Sequence, residues 1–173
     1  MQNILPTVTN TYNVYKNGNA FIGLSEEITL PDFTAVTEEM AGSGLLGKIQ
    51  EAVMGHFDSQ ELKIPFQNLD DDIFSMANPL DIIDLNLRAA QQQLNKEKGT
   101  ASYRGVRVAV RGKLKSFSPG VLKQGGKMGA SVTLELHYIL IQIDGITKLE
   151  LDKLNGTYRV NGVDVMEEMR QYC

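Results

Sequence analysis

Few residues in this chain have the types and spacings that make or break bonds. The two histidines, His56 and His137, have no ligand-type neighbours at metal spacing. The single cysteine, Cys173, is the last residue, a position that offers neither a base nor a fixed geometry to activate a thiolate. Asp70-Asp71-Asp72 lacks the glycine and terminal glutamate of a calcium loop. Three aspartates suit the amino end of a helix instead. Lys123-Gln124-Gly125-Gly126-Lys127 lacks the spacing of a phosphate-binding loop. Catalysis, a bound metal and a cofactor are therefore not expected. What stands out is charge at strand spacing. Arg104, Arg107, Arg111, Lys113 and Lys115 form a basic stripe, and Glu38, Glu39 and Glu51 stand in an earlier segment. The stripe has little aromatic interleaving, so a solvated or ion-paired face is favoured over a nucleic-acid surface.

Two long hairpins must position these charges. In Tyr103–Ile143, Val106, Val108, Val110, Gly112 and Leu114 alternate with Arg107, Ala109, Arg111, Lys113 and Lys115. After a loop rich in Pro and Gly, Val132, Leu134 and Leu136 alternate with Thr133, Glu135 and His137. A one-residue slip would turn a strand inside out. Pairing that keeps the apolar faces together predicts Leu114 opposite Val132 and Arg111 opposite Glu135. The outcome is a ribbon apolar on one face and charged on the other. A second ribbon is expected from Phe33–Met40 and Lys48–Phe57, joined by Ala41 and the run Gly42-Ser43-Gly44-Leu45-Leu46-Gly47. Two leucines on a glycine-rich tip make good contact residues, unless the tip folds back on its own domain. Open edges and an apolar face invite association, and closure into a ring removes such edges.

The rest of the chain is punctuated as a β protein. Asn17-Gly18, Asp144-Gly145, Asn155-Gly156 and Asn161-Gly162 suit tight hairpin turns. Strands are expected on either side of the first two. A helix is predicted over Asp70–Ala77, stopped by Asn78-Pro79. A second starts at Asp164, with Glu167 at capping-box spacing and Val165, Met169 and Tyr172 on one face. The segment Leu80–Leu94 fits both a helical and an alternating pattern, with a slight lean to helix. The fold class is thus mainly β, an antiparallel sandwich or barrel with a flanking helix and a C-terminal helix.

Length and composition fit one domain over residues 1–173, of 19.1 kDa. With 42% apolar residues and a net charge of -4, disorder is disfavoured. The most apolar run, Tyr138–Ile143, is far short of a spanning helix, so no membrane insertion is expected. MQNILPTVTN has neither the basic segment nor the apolar core of a signal peptide. A lone cysteine excludes a disulfide-stapled fold.

With these residues in order, the chain resembles the major tail tube proteins of contractile-tailed bacteriophages and the tube proteins of R-type pyocins. The resemblance runs nearly end to end. It is carried by Asn17-Gly18 with Gly23, Ile28-Thr29-Leu30-Pro31, Thr37-Glu38 and the tip from Gly42. Further carriers are Arg111-Gly112 with Lys115, Lys123-Gln124-Gly125, Tyr138, Asp144-Gly145 and Asp152. The most specific carrier is Val160-Asn161-Gly162-Val163-Asp164 followed by Arg170. Gly126 departs from the pattern, standing where an acid usually follows, which puts a loop contact in doubt.

The resemblance implies a β-sandwich whose two long hairpins build an inner barrel in a hexameric ring. Rings would stack into a tube that pierces the host envelope and conducts double-stranded DNA. Partners would be further copies of the chain and the sheath, baseplate and tail terminator proteins. The setting would be the virion tail, assembled in the host bacterial cytoplasm. The resemblance also favours a strand over Ile82–Gln93. The Gly42–Gly47 tip is expected to contact the next ring. Glu38, Glu39 and Glu51 are expected to neutralise Arg111, Lys113 and Lys115, within or between subunits. Type VI secretion tubes and extracellular contractile injection systems share the implied architecture. A monomeric β-sandwich binding a small ligand is the alternative from another class.

Overall fold

Turn chemistry sets the order of the strands. The computed structural model describes residues 3–21, 24 and 27–172, so Ile22, Gly23 and Cys173 lie outside it. Asn17, Asp144 and Asn161 each adopt positive φ, followed by Gly18, Gly145 and Gly162 with φ of 87°, 77° and 85°. These are two-residue turns whose twist matches the strands they join. They connect β1 (Ile4–Lys16) to β2 (Asn19–Ala20), β8 (Ser131–Ile143) to β9 (Ile146–Asp152), and β10 (Thr157–Val160) to β11 (Val163–Asp164). Asn155-Gly156 differs. Thr157 pairs with Asp152, so this is a longer loop, held by Asp152 accepting from the amides of Leu154 and Asn155.

The remaining strands are β3 (Ala35–Met40), β4 (Ile49–Phe57), β5 (Glu61–Pro65), β6 (Ile83–Asn95) and β7 (Ala101–Ser118). The fold is mainly β, and every pairing is antiparallel. Nine strands form one sheet in the order β11-β10-β9-β8-β7-β6-β1-β2, with β5 joined to β8. β5 and β9 share one edge of β8, pairing with Ser131–Glu135 and Tyr138–Ile143 respectively. β3 and β4 form a separate two-stranded sheet, and no barrel closes among the described residues.

One apolar row crosses the sheet through Val14, Leu87, Val108, Ile141 and Leu149, each opposite the next. This face meets Leu62, Ile64, Phe66, Ile73 and Met76 in one buried cluster. Ile73 belongs to α1 (Asp71–Phe74), a single turn capped by the Asp70 carboxylate. The cap is as predicted, but the helix is shorter than Asp70–Ala77. Only one turn is needed to deliver Ile73 and Met76 to the core.

Three expectations are corrected. Leu80–Leu94 is not a helix: β6 runs over Ile83–Asn95, where the alternation of Ile83, Leu85 and Leu87 wins because β1 and β7 flank it on both edges. Asp164 is not a helix cap. α2 (Glu167–Arg170) starts at Met166 without a side-chain cap, and Asp164 instead accepts from the Met166 amide and from Arg170. The β7–β8 register also differs. Bulges at Arg111/Gly112 and Leu114/Ser116 place Tyr138 opposite Arg111, Glu135 opposite Lys113, and Leu134 opposite Leu114. A bulge inserts one residue and shifts the parity. Both halves of β8 can then turn their apolar side chains to the same core.

Candidate assembly surfaces

Two parts of the chain project without a core of their own. The first is the β3–β4 ribbon, anticipated from Phe33–Met40 and Lys48–Phe57. Its base is fixed by aromatic edge contacts, Phe33 to Phe57 at 5.9 Å and Phe57 to Tyr158 at 5.0 Å. Beyond that base, Met40, Ile49, Val53 and Met54 are exposed. Gly42, Ser43, Gly44, Leu45, Leu46 and Gly47 form the tip. The Leu45 amide donates to the Gly42 carbonyl at 3.1 Å, which closes a turn. Leu46 is fully exposed, at 110% of its reference area, so the tip does not fold back on its own domain.

The second projection was not foreseen. β7–β8 is no free ribbon: β6 covers one edge, and β5 and β9 cover the other. The projecting element is a three-stranded tongue made of the outer halves of β1, β6 and β7. β8 and β9 stop at Ile143 and Ile146, while β6 and β7 continue to pair out to Leu94 and Ala101. No residue of 4–11, 90–95 or 101–105 is buried. Ile4, Leu5, Val8, Leu94 and Tyr103 are exposed there. The outer edge of β1 carries β2 only at Tyr15 and Lys16, so it is open along the tongue. The only sequence signal for this element is the length of its strands.

Arg107, Arg111, Lys113 and Lys115 lie on the face of the main sheet away from the core, whereas Arg104 shares the face of Val106 and Val108, and most of these bases have partners in the chain. Arg111 donates to Asp84 at 2.6 Å and stands over the Tyr138 ring at 5.7 Å. The Asp84 hydrogen bond and charge raise its pKa above the ordinary guanidinium value. Lys115 bridges Glu61 at 2.6 Å and Glu135 at 3.2 Å. Those two hydrogen bonds hold it protonated above the usual lysine range. Burial pushes the Glu135 carboxyl up, but hydrogen bonds from Ser59 and Lys115 outweigh this and hold it below its ordinary value. Arg107 donates to Asn86 and Gln142, and Arg104 to Gln91. Thr133 lies between Lys63 and Ser116 in the register. The ladder continues past the stripe. Tyr138 donates to Glu150, and Arg159 pairs with Glu150 and Asp164. Asp164 also pairs with Arg170, whose hydrogen bond holds that carboxyl below its ordinary value.

The acids of the ribbon are separate from this ladder. Glu39 pairs with Lys48 at 2.7 Å within the ribbon. Glu38 and Glu51 sit directly opposite each other. Within the chain, then, Arg111 and Lys115 are neutralised by Asp84, Glu61 and Glu135, not by Glu38, Glu39 or Glu51. Parity could have suggested Asp84, which alternates with Ile83 and Leu85. Glu61 was out of reach, because nothing local reveals that β5 joins β8.

At the root of the tongue is an apolar concavity of about 240 Å³. Tyr12, Leu87, Ala89, Val106 and Val108 of the sheet line it, together with Ile28 and Leu30 from the segment after β2. It lies where the core layer ends. Among the described residues, no cluster of His, Cys, Asp and Glu suits a metal ion, and no helix is long and apolar enough to cross a membrane.

The two projections with exposed apolar side chains are the most distinctive surfaces among the described residues, and comparison with known proteins gives the family. The family model for phage tail tube protein FII matches residues 6–172. The chain is 25% identical over 170 residues to the tail tube protein of Escherichia phage P2, covering 96% of each chain. It is 24% identical over 163 residues to the major tail tube protein of Serratia phage KSP20, covering 91% of this chain and 90% of the relative. A match from residue 6 to residue 172 leaves almost none of the chain outside the alignment, so the chain belongs to the phage tail tube protein FII family and has a structural, tail tube role.

Proposed function

We propose that six copies of this chain close into a ring, and that rings stack into the inner tube of a contractile tail. The carrying observation is the pair of bare projections. A two-stranded ribbon is marginal in water on its own, and a sheet with no covered face gains little from burial. Edge-to-edge pairing of tongues and ribbons from neighbouring copies supplies the missing pairings and removes the edges. Glu38 and Glu51, and Lys113, which has no ion pair among the described residues, are left for contacts between copies.

In this reading the Gly42–Gly47 tip contacts the next ring. Sheath, baseplate and terminator proteins meet the tube outside and at its ends. Double-stranded DNA passes through, and the tube is built in the host cytoplasm and carried in the virion tail. The chain catalyses nothing. The small-ligand alternative predicts a monomer, which would leave both bare projections unpaired. Negative-stain electron microscopy of the purified protein tests the proposal. Rings or tubes are expected, and a monodisperse monomer over the whole concentration range would exclude it.

A further inference from the structure

We infer that the apolar concavity at the root of the tongue is the seat for the Leu45–Leu46 tip of a copy in the adjoining ring. This rests on the stacked-ring reading above and adds the receiving surface.

Three observations point to this occupant. First, the seat and the tip match in chemistry. Ile28, Leu30, Leu87, Ala89, Val106 and Val108 are apolar and outnumber the polar Thr9 and Gln91 in the lining, and among the tip side chains only the Ser43 hydroxyl is polar. Arg88, the one charged residue of the lining, has its guanidinium 5.3 Å from the Tyr15 ring and is engaged there. Second, the tip is presented for insertion. Leu46 is more exposed than Leu122 at 87% or Leu80 at 86%, and it alone of these stands at the end of a projecting ribbon. The turn closed by the Leu45 amide orders the tip before contact, which lowers the entropy lost on docking. Third, seat and tip share no residue, so the contact is heterologous. A heterologous contact propagates without limit, which a tube requires, whereas a self-complementary one stops at two.

Two variants isolate the contact. Leu46→Ser leaves the seat intact and removes the key. Ala89→Phe leaves the tip intact and fills the seat. At concentrations where the parent forms tubes, each variant alone is expected to stop at single rings. Mixed in equal amounts they are expected to give paired rings and nothing longer, because one good tip then meets one good seat. Light scattering and electron microscopy read the outcome. Thr9→Trp obstructs the same seat from β1 should Ala89→Phe fail to give rings.

Tubes from a seat-filling variant, tubes from Leu46→Ser, or a mixture that stays as single rings would each overturn the inference while leaving the ring reading intact. A parent that forms neither rings nor tubes would overturn both.

Discussion

At the scale of single residues, the decisive positions are those where backbone approaches backbone. Gly112 sits opposite the bulge that His137 makes in β8, and a Cβ built there would lie 2.3 Å from the Glu135 carbonyl oxygen. That oxygen belongs to the ladder, so neither strand yields without moving. Gly112→Ala is expected to cost about 1–3 kcal/mol, the usual range for overpacking, read as a lower urea midpoint with unchanged slope. Gly55 is confined differently, by its backbone conformation and by a side chain. Its φ is +75°, and a Cβ would lie 2.2 Å from the Met166 sulfur. Titration acts at this scale too. Glu135 and Asp164 are held below their ordinary carboxylate values, so their unfolded forms bind protons more readily. The stability they contribute is present above the unfolded pKa and lost as pH falls through the folded one. The melting temperature should therefore drop between about pH 5 and pH 3. Glu135→Gln should lower stability at neutral pH and flatten that drop. An unchanged acid limb would show that Glu135 does not contribute.

At the scale of elements, the ribbon is held to the body largely by its base. Phe57 touches both Phe33 and Tyr158, and all three are half-buried. Phe57→Ala should cost about 3 kcal/mol, the low end for an aromatic truncation, and should free the ribbon before the body melts. Limited proteolysis would then cut within β3 and β4, where the parent is cut only at the tip. If the parent and variant patterns coincide, the ribbon is held some other way. Elements of this kind were legible in the sequence because their signals are local. Positive-φ turns, strand alternation and the glycine-rich tip each lie within a few residues. The failures have local causes as well. Apolar residues at Leu80, Ile83, Leu87 and Ala90 satisfy a helical period, and only the strands on either side of β6 decide against it. The β7–β8 register failed because the mark of the bulge, a change of apolar parity in β8 from Val132, Leu134 and Leu136 to Ile139 and Ile141, lies inside the apolar run Tyr138–Ile143, where alternation is blurred. The tongue and the partners of the basic stripe were hidden for a different reason. Asp84 and Glu61 reach Arg111 and Lys115 through long-range pairing that no short window contains.

At the scale of the whole molecule, the tube proposed above raises the question of how a chain with a basic stripe would pass DNA without holding it. A protein binds duplex DNA by releasing the counterions of the phosphates it neutralises, so its unpaired bases matter more than their total number. The ladder across the outer face occupies the stripe. Asp84 takes Arg111, Glu61 and Glu135 share Lys115, and Asn86 and Gln142 accept from Arg107. Each of these ion pairs is exposed and contributes little to stability, about 0–1 kcal/mol. In the proposed tube their role would be to cancel charge that otherwise meets phosphate. The chain's net charge of -4 acts in the same direction at longer range. Removing the acids should therefore change DNA affinity far more than it changes the fold. A triple variant carrying Asp84→Asn, Glu61→Gln and Glu135→Gln is expected to melt within a few degrees of the parent and to retain duplex DNA. Fluorescence polarisation with a labelled duplex should show no parent binding at about 0.15 M salt. The variant's affinity should fall with salt at a logarithmic slope of about -0.9 for each phosphate neutralised. Equal binding by parent and variant would mean that these pairs do not shield the stripe. Binding by the variant with no salt dependence would mean that the freed lysine and arginine are not what the DNA meets.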